Sequence, residues 1–107
     1  MNYIVLAIEN VQGGTLGDLI KKRSTDNQPL TEEECSKAIK GILLGLKHIH
    51  SEDYIHRDLK PSNVVIENLS NLQSVKIVDF GLAIKIQHGH KGGVDETCGT
   101  LVYQAPE

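Results

Sequence analysis

The chain has 107 residues and a net charge of −3, and its lysines are scattered, so it lacks the basic surface expected of a nucleic-acid-binding protein or of one that binds acidic lipid. Hydrophobic residues make up 39% and charged residues 23%, the composition of an ordinary globular domain. The two cysteines, Cys35 and Cys98, are far apart and have no partner at metal-ligand spacing, so neither a disulfide framework nor a zinc site is expected. A reducing, intracellular compartment such as the cytoplasm fits this pattern.

The first predicted element is the apolar run of residues 3–8. The run is too short for a membrane span, and no signal-peptide cleavage site follows it. It predicts a buried strand that ends at Glu9 and Asn10, before the flexible pair Gly13-Gly14. A strand that begins two residues after Met1 needs partner strands, which favours the hypothesis that the chain is a piece of a longer protein.

Two helices are predicted next. Residues 15–23 have apolar side chains at helical spacing, with acidic Asp18 early and basic residues late, as the helix dipole favours. Thr31 and Glu34 form a capping-box pattern that predicts the start of a longer helix. One broad apolar face of this second helix is predicted to pack on the rest of the fold, and it consists of Cys35, Ala38, Ile39, Ile42, Leu43, Leu46 and Ile49.

The remaining pattern predicts a small hairpin followed by loops. Residues 64–66 and 75–78 are β-branched runs separated by a polar connection. Residues 82–104 resemble a loop, in which the Gly-rich stretch 88–93 lacks any period and predicts a mobile segment.

Three short strings then occur in a fixed order. Residues 56–63 read HRDLKPSN, residues 79–81 read DFG and residues 105–107 read APE. Taken singly they are weak signals, since an isolated Asp is usually a solvated turn residue and DFG an ordinary turn after a strand. In this order they resemble the catalytic loop, the metal-binding loop and the end of the activation segment of eukaryotic protein kinases.

The resemblance implies an α+β fold. Residues 1–107 would form a partial protein kinase domain that holds the hinge and the first half of the mainly helical C-terminal lobe. The chain contains neither the Gly-rich phosphate loop nor the Val-Ala-Ile-Lys lysine of that family. We therefore expect the isolated fragment to be inactive.

The resemblance also assigns chemical roles. Asp58 would orient a substrate hydroxyl and accept its proton, while Lys60 would place a positive charge on the transferring phosphate of ATP. Asn63 and Asp79 would bind Mg²⁺ through hard oxygen ligands.

Further positions match the nucleotide pocket of the family. Glu9 and Val11 correspond to hinge positions whose backbone carbonyl and amide pair with adenine, and Val65 would form part of the pocket floor. The alternative for the hinge is a generic strand-to-helix connection. His56 and Phe80 are expected to be packing residues.

Lys60 and Thr100 indicate the serine/threonine type of the family. The implied function is ATP-dependent phosphorylation of Ser or Thr hydroxyls in protein substrates. Two alternatives stay open: a pseudokinase or scaffold that binds partners without catalysis, and a small-molecule phosphotransferase of similar fold. Intact Asp58, Asn63 and Asp79 argue against the first, and the joint presence of DFG and APE argues against the second.

A regulatory hypothesis concerns Glu96. Many related kinases place an activating phosphothreonine near this position, paired with the arginine that Arg57 represents here. Glu96 would then partly mimic the phosphate, although a carboxylate carries less charge and fewer acceptor oxygens. A solvated acidic loop is the alternative, and Thr97 is a competing phosphorylation site.

Overall fold

The computed structural model describes residues 1–87 and 97–107. Over these ranges two α-helices precede and pack against two small antiparallel sheets. The elements are α1 (Leu16–Thr25), α2 (Glu32–Ser51), β1 (Tyr54–Ile55), β2 (Val64–Ile66), β3 (Val75–Ile77) and β4 (Ile84–Lys85), with 3₁₀ turns at Pro61–Asn63, Leu72–Ser74 and Leu101–Tyr103. The mixed helix and strand content confirms the predicted α+β class.

Helix α1 begins where the sequence predicts. The side chain of Thr15 caps it by accepting a 3.0 Å hydrogen bond from the Asp18 amide. Near its end, Arg23 donates to the Gln28 carbonyl and forms a 3.0 Å ion pair with Glu34 at the start of α2. Arg23 thereby fixes the turn between the two helices.

Helix α2 starts with the predicted capping box. The Thr31 hydroxyl accepts a 3.2 Å hydrogen bond from the Glu34 amide, and the Glu34 carboxylate accepts a 2.8 Å bond from the Thr31 amide. This backbone bond, together with the bond from Arg23, lowers the pKa of Glu34 from its ordinary value. The cap thus holds a carboxylate at the positive end of the helix dipole.

The apolar face of α2 packs on the 3₁₀ turn Leu72–Ser74 and on β3. Ala38 and Ile49 are buried there, whereas Ile39 and Leu43 keep 55% and 58% of their surface exposed. The predicted face is therefore correct in its position on the helix but is only partly covered by the described residues.

The predicted hairpin is present, with β2 antiparallel to β3. Val64 lies opposite Ile77, and Ile66 lies opposite Val75. Val64 and Ile66 are almost fully buried and form the centre of the core with Leu16. The Ile66 amide also donates a 2.9 Å bond to the Gly14 carbonyl, which holds the start of α1 on the hairpin.

The second sheet corrects the prediction that residues 82–104 are loop alone. Strand β4 pairs with β1, with Tyr54 opposite Lys85 and Ile55 opposite Ile84. The Lys85 ammonium lies 5.5 Å from the centre of the Tyr54 ring, where a cation–π attraction supports the pairing. Two-residue strands are too short to produce a periodic pattern, so they could not be predicted from periodicity.

Residues 3–8 do not form the predicted buried strand. No secondary structure is assigned to them, and Tyr3 and Ile4 are 79% and 91% exposed. A strand requires a neighbouring backbone to pair with, and none of the described residues provides one. The Gly-rich stretch 88–93 lies outside the described residues. Among the described residues, no helix has the length and apolar character of a membrane span.

Close contact at Gly41 generates a stability prediction. An alanine Cβ there would overlap the Gln73 carbonyl and lie 2.7 Å from the Val75 side chain. The overlap costs about 1–3 kcal/mol and outweighs the helix propensity gain of about 1 kcal/mol, so Gly41→Ala should destabilise the protein. Urea unfolding measures the difference. Ser36→Ala, at an exposed site on the same helix, should leave stability unchanged or slightly higher, and an equal gain for Gly41→Ala would contradict the packing described here.

Candidate active site

A buried histidine anchors the loop that precedes β2. His56 is 2% exposed; its Nε2 lies 2.9 Å from the Val78 carbonyl, and its Nδ1 lies 3.2 Å from the Asp58 amide. These partners assign the neutral tautomer in which Nε2 donates and Nδ1 accepts. The ring also meets Phe80 edge-on, with 5.2 Å between the ring centres. This contact agrees with the packing role that we expected for His56 and Phe80.

The backbone turns sharply at Arg57, which has a φ of 68°. This left-handed conformation is uncommon for a residue with a side chain and is stabilised here by the surrounding contacts. The Arg57 Nε donates a 2.6 Å bond to the Leu82 carbonyl. Arg57 therefore links the loop to the segment that follows β3.

Asp58 lies at the centre of a compact polar cluster. Its Oδ1 accepts a 2.6 Å bond from the Thr100 hydroxyl, and its Oδ2 lies 3.2 Å from the Lys60 ammonium. Lys60 also donates a 2.7 Å bond to the Thr100 oxygen. The Asn63 amide nitrogen contacts both the backbone carbonyl and the Oδ2 of Asp58, at 2.9 and 3.2 Å. We call Asp58, Lys60, Asn63 and Thr100 the aspartate cluster.

The cluster keeps Asp58 ionised. The Thr100 hydroxyl, and to a lesser extent Lys60 and Asn63, lower the pKa of Asp58 against the opposing effect of desolvation. A carboxylate that is charged at neutral pH can accept a proton or orient a hydroxyl group brought close to it.

Thr100 reaches Asp58 because of the glycine before it. Gly99 has a φ of 96°, and a Cβ at this position would lie 2.5 Å from the Arg57 carbonyl. The Gln104 side chain donates to the Cys98 carbonyl and closes the same turn. The sequence indicated Thr100 only as a marker of the serine/threonine type, and its contact with Asp58 was not predicted. A glycine directly before a polar residue was the available signal.

Asn63 and Asp79 lie at the open end of the hairpin. Asn63 directly precedes β2, and the Val78 amide donates a 2.9 Å bond to its carbonyl, which places Asp79 next to this pairing. Asp79 is exposed and has a φ of 63°, and its Oδ1 accepts a 3.2 Å bond from the Gly81 amide.

The donor atoms at this end suit a hard divalent cation. Asn63 makes both of its contacts with Asp58 through the amide nitrogen, so its amide oxygen is the atom directed elsewhere. Carboxylate and amide oxygens are the ligands that Mg²⁺ prefers. The described residues contain no cluster of three or more His, Cys, Asp or Glu side chains. Asn63 and Asp79 therefore fit a cation that shares its other positions with water or phosphate.

The residues predicted to form the adenine pocket come from two parts of the chain. Val65 is half-buried on β2 and forms a bridge with Thr15, while Glu9 and Val11 lie in the segment before α1. Between described residues, neither the Glu9 carbonyl nor the Val11 amide makes a backbone hydrogen bond. Glu96, the predicted phosphate mimic, lies outside the described residues.

Comparisons with known proteins show the family of the chain. The family model described as "Protein kinase domain" matches residues 1–107. The chain is 36% identical to "Probable serine/threonine-protein kinase 2" of Plasmodium falciparum over 98% of this chain and 19% of that relative. It is 38% identical to "Serine/threonine-protein kinase cds1" of Schizosaccharomyces pombe over 97% of this chain and 21% of the relative. With "Maternal embryonic leucine zipper kinase" of Xenopus laevis, identity is 40% over 97% of this chain and 15% of the relative. The chain thus spans about a fifth or less of the length of these relatives.

The aspartate cluster generates a pH prediction. Thr100→Val removes the main donor to Asp58 at nearly constant volume, so the pKa of Asp58 should rise towards its ordinary value. Because the folded pKa lies below the unfolded one, the ionised cluster stabilises the fold above the unfolded pKa of about 3.9. This contribution is lost as the pH falls through the folded pKa, and the variant should lose less stability on acidification.

Carboxyl-carbon NMR titration of Asp58 measures this pKa, and unfolding at pH 3 and pH 6 measures the stability change. Thr97→Val is the control, because Thr97 is exposed and lies three residues from Thr100 on the same segment. An Asp58 pKa that is equal in wild type and Thr100→Val would show that the hydroxyl does not hold the carboxylate.

Proposed function

The chain belongs to the protein kinase family, and we propose that the protein in which it occurs transfers the γ-phosphate of ATP to Ser or Thr hydroxyls of protein substrates. The observation that carries this proposal is the position of the Asp58 carboxylate, held between the Thr100 hydroxyl and the Lys60 ammonium. Three relatives support it, since two are named as serine/threonine-protein kinases and the third is named as a kinase.

Asp58 is the proposed catalytic base. One Asp58 oxygen contacts Thr100, while the other contacts Lys60 and Asn63, so the carboxylate has a fixed orientation. A substrate hydroxyl that binds beside it would donate its hydrogen bond to the carboxylate and be directed towards the phosphate. The proton passes to Asp58 as the bond from the substrate oxygen to the γ-phosphorus forms and the bond from that phosphorus to the β–γ bridging oxygen breaks, which releases ADP.

Lys60 has two roles in this proposal. Its ammonium group keeps Asp58 charged and also offers positive charge to the phosphate oxygens on which negative charge accumulates during transfer. The Thr100 oxygen accepts from Lys60 and donates to Asp58, so it couples the position of the cation to that of the base.

Asn63 and Asp79 are the proposed cation ligands, with Mg²⁺ as the expected ion. Bound Mg²⁺ would neutralise charge on the nucleotide phosphates. The Asn63 amide oxygen and the Asp79 carboxylate would hold the ion at the open end of the hairpin, beside the base. The bond from the Gly81 amide orients the Asp79 side chain.

The segment before α1 is the proposed adenine site. The Glu9 carbonyl and the Val11 amide would form the two backbone hydrogen bonds, with Val65 as an apolar floor. Because adenine would be recognised by backbone groups, the identities of the side chains at positions 9 and 11 say little about this role. The chain spans about a fifth of the length of these relatives or less, so phosphate transfer has to be measured on the whole protein.

Removal of the base gives the first activity prediction. Asp58→Ala should reduce phosphate transfer by at least about 10²–10⁴-fold, the range that general bases contribute. Transfer of radiolabelled phosphate from ATP to a Ser- and Thr-containing protein substrate measures the loss. Asp26→Ala, an exposed aspartate at the end of α1, should retain wild-type activity. Near-normal transfer by Asp58→Ala would refute the assignment of the base, and nucleotide binding without transfer by wild type would indicate a noncatalytic protein.

Loss of a cation ligand gives the second activity prediction. Asp79→Asn removes a carboxylate charge without changing side-chain size, so the Mg²⁺ concentration for half-maximal activity should rise by about tenfold or more. Mg²⁺ titration at fixed ATP measures the shift, with Asp26→Asn as the matched control. An unchanged Mg²⁺ requirement would mean that Asp79 does not bind the cation.

A further inference from the structure

The segment before α1 has few contacts with the rest of the described chain. Residues 1–10 are exposed and form no helix or strand. Among residues 1–87 and 97–107, the contact that ties a side chain of this segment to a distant element is the ion pair between Glu9 and Lys76, at 2.6 Å. Between described residues, the first backbone hydrogen bond that joins the segment before α1 to the hairpin runs from the Ile66 amide to the Gly14 carbonyl.

Lys76 is well placed to act as an anchor. It lies in the middle of β3, opposite Val65 of β2, so its backbone belongs to the rigid hairpin. Its ammonium group also lies 3.1 Å from the carboxylate of Glu67, the residue directly after β2. Glu67 therefore directs the Lys76 side chain along the hairpin surface towards Glu9, a residue 67 positions away in the sequence.

One ammonium group separates two carboxylates in this arrangement. The bonds to Glu9 and then to Glu67 raise the pKa of Lys76, which keeps it charged at neutral pH. Without the ammonium group, the Glu9 and Glu67 carboxylates would repel each other across the same gap. The exposed fractions of the three side chains, 37% for Lys76, 62% for Glu9 and 54% for Glu67, make the attraction modest and sensitive to salt.

We propose that Lys76 is a positioning residue that holds the adenine-binding segment against the β2–β3 hairpin through Glu9. The inference rests on the proposed function, because it assigns to the Glu9 carbonyl and the Val11 amide the binding of adenine. Val65, the proposed pocket floor, is the cross-strand neighbour of Lys76. The ion pair thus joins the two sides of the proposed pocket, and it reduces the ordering that the segment must undergo when the nucleotide binds.

Lys76→Met tests the proposal in the whole protein, since it removes the charge and keeps a long side chain. Hydrogen–deuterium exchange of residues 5–12 in the absence of nucleotide should become faster. The KM for ATP should rise about threefold to fivefold, in line with a partly exposed ion pair, while kcat changes by less than about twofold. Lys76→Arg should restore wild-type exchange and KM, because it keeps the positive charge.

Salt and a second site provide the controls. High salt should bring the exchange and the KM of wild type towards those of Lys76→Met, since the ion pair is screened. Lys47→Met, at an exposed lysine on α2 for which the described residues supply no ion pair, should behave as wild type. Glu9→Gln combined with Lys76→Met should be no worse than either single variant, because both remove the same contact.

The two readouts separate this inference from the proposed function. Wild-type exchange of residues 5–12 in Lys76→Met would overturn the tether, whatever the activity of the protein. Faster exchange with an unchanged KM for ATP would overturn the role in nucleotide binding. If wild type transfers no phosphate, the proposed function fails, while the exchange measurement still decides whether Lys76 holds the segment.

Discussion

The antiparallel pairing of β2 with β3 is the constraint on which the rest of the structure depends. The register that sets Val64 opposite Ile77 also sets the residue before β2 beside the residues after β3. Asn63 and Asp79 are thereby brought to one end of the hairpin, although their positions in the sequence are well separated. The same pairing buries Val64 and Ile66 and gives α2 a surface to pack on. One short ladder of backbone hydrogen bonds therefore determines both the core and the arrangement of the candidate site.

Part of the left-handed backbone of the described residues lies around this site. Arg57 and Asp79 have left-handed φ values of 68° and 63°, and Gly99 has a φ of 96°. Such conformations cost on the order of 1 kcal/mol or more for residues with side chains, and they persist where the surroundings impose them. Here the surroundings are the buried His56, with its bonds to Val78 and Asp58, and the bond from Arg57 to Leu82. The sharp turns at Arg57 and Gly99 allow the polar side chains of Asp58 and Thr100, the residues that follow them, to meet.

Local chemistry made much of this fold predictable from the sequence. The cap at Thr31 and the β-branched runs of the hairpin each depend on residues close in the chain, and the structure confirms them. Residues 3–8 were wrongly predicted as a strand, because an apolar run becomes a strand only when another backbone pairs with it. Strands β1 and β4 were missed since two-residue strands leave no periodic pattern.

The motif indicated Asp58, Lys60 and Asn63 together, and the structure brings them into contact. What the sequence could not supply were contacts between distant positions. Thr100 meets Asp58 across 42 residues, and Lys76 meets Glu9 across 67. Neither pairing follows from spacing, since both depend on the path of the folded chain. The roles of these residues in catalysis and nucleotide binding stay predictions.

The long separation between Asp58 and Thr100 has a consequence for folding. We call residues 97–103 the Thr100 arm. The helices and the hairpin are built from local contacts, which form at low entropic cost, whereas the contact between the Thr100 arm and Asp58 joins positions 42 residues apart in the sequence. Leu101 and Val102, which belong to the arm, remain 80% and 82% exposed, so little apolar burial holds the arm in place. The arm can therefore detach in a sub-global opening that leaves the core folded. Such an opening would leave Asp58 without its main hydrogen-bond donor, so the site can be dismantled while the protein remains folded.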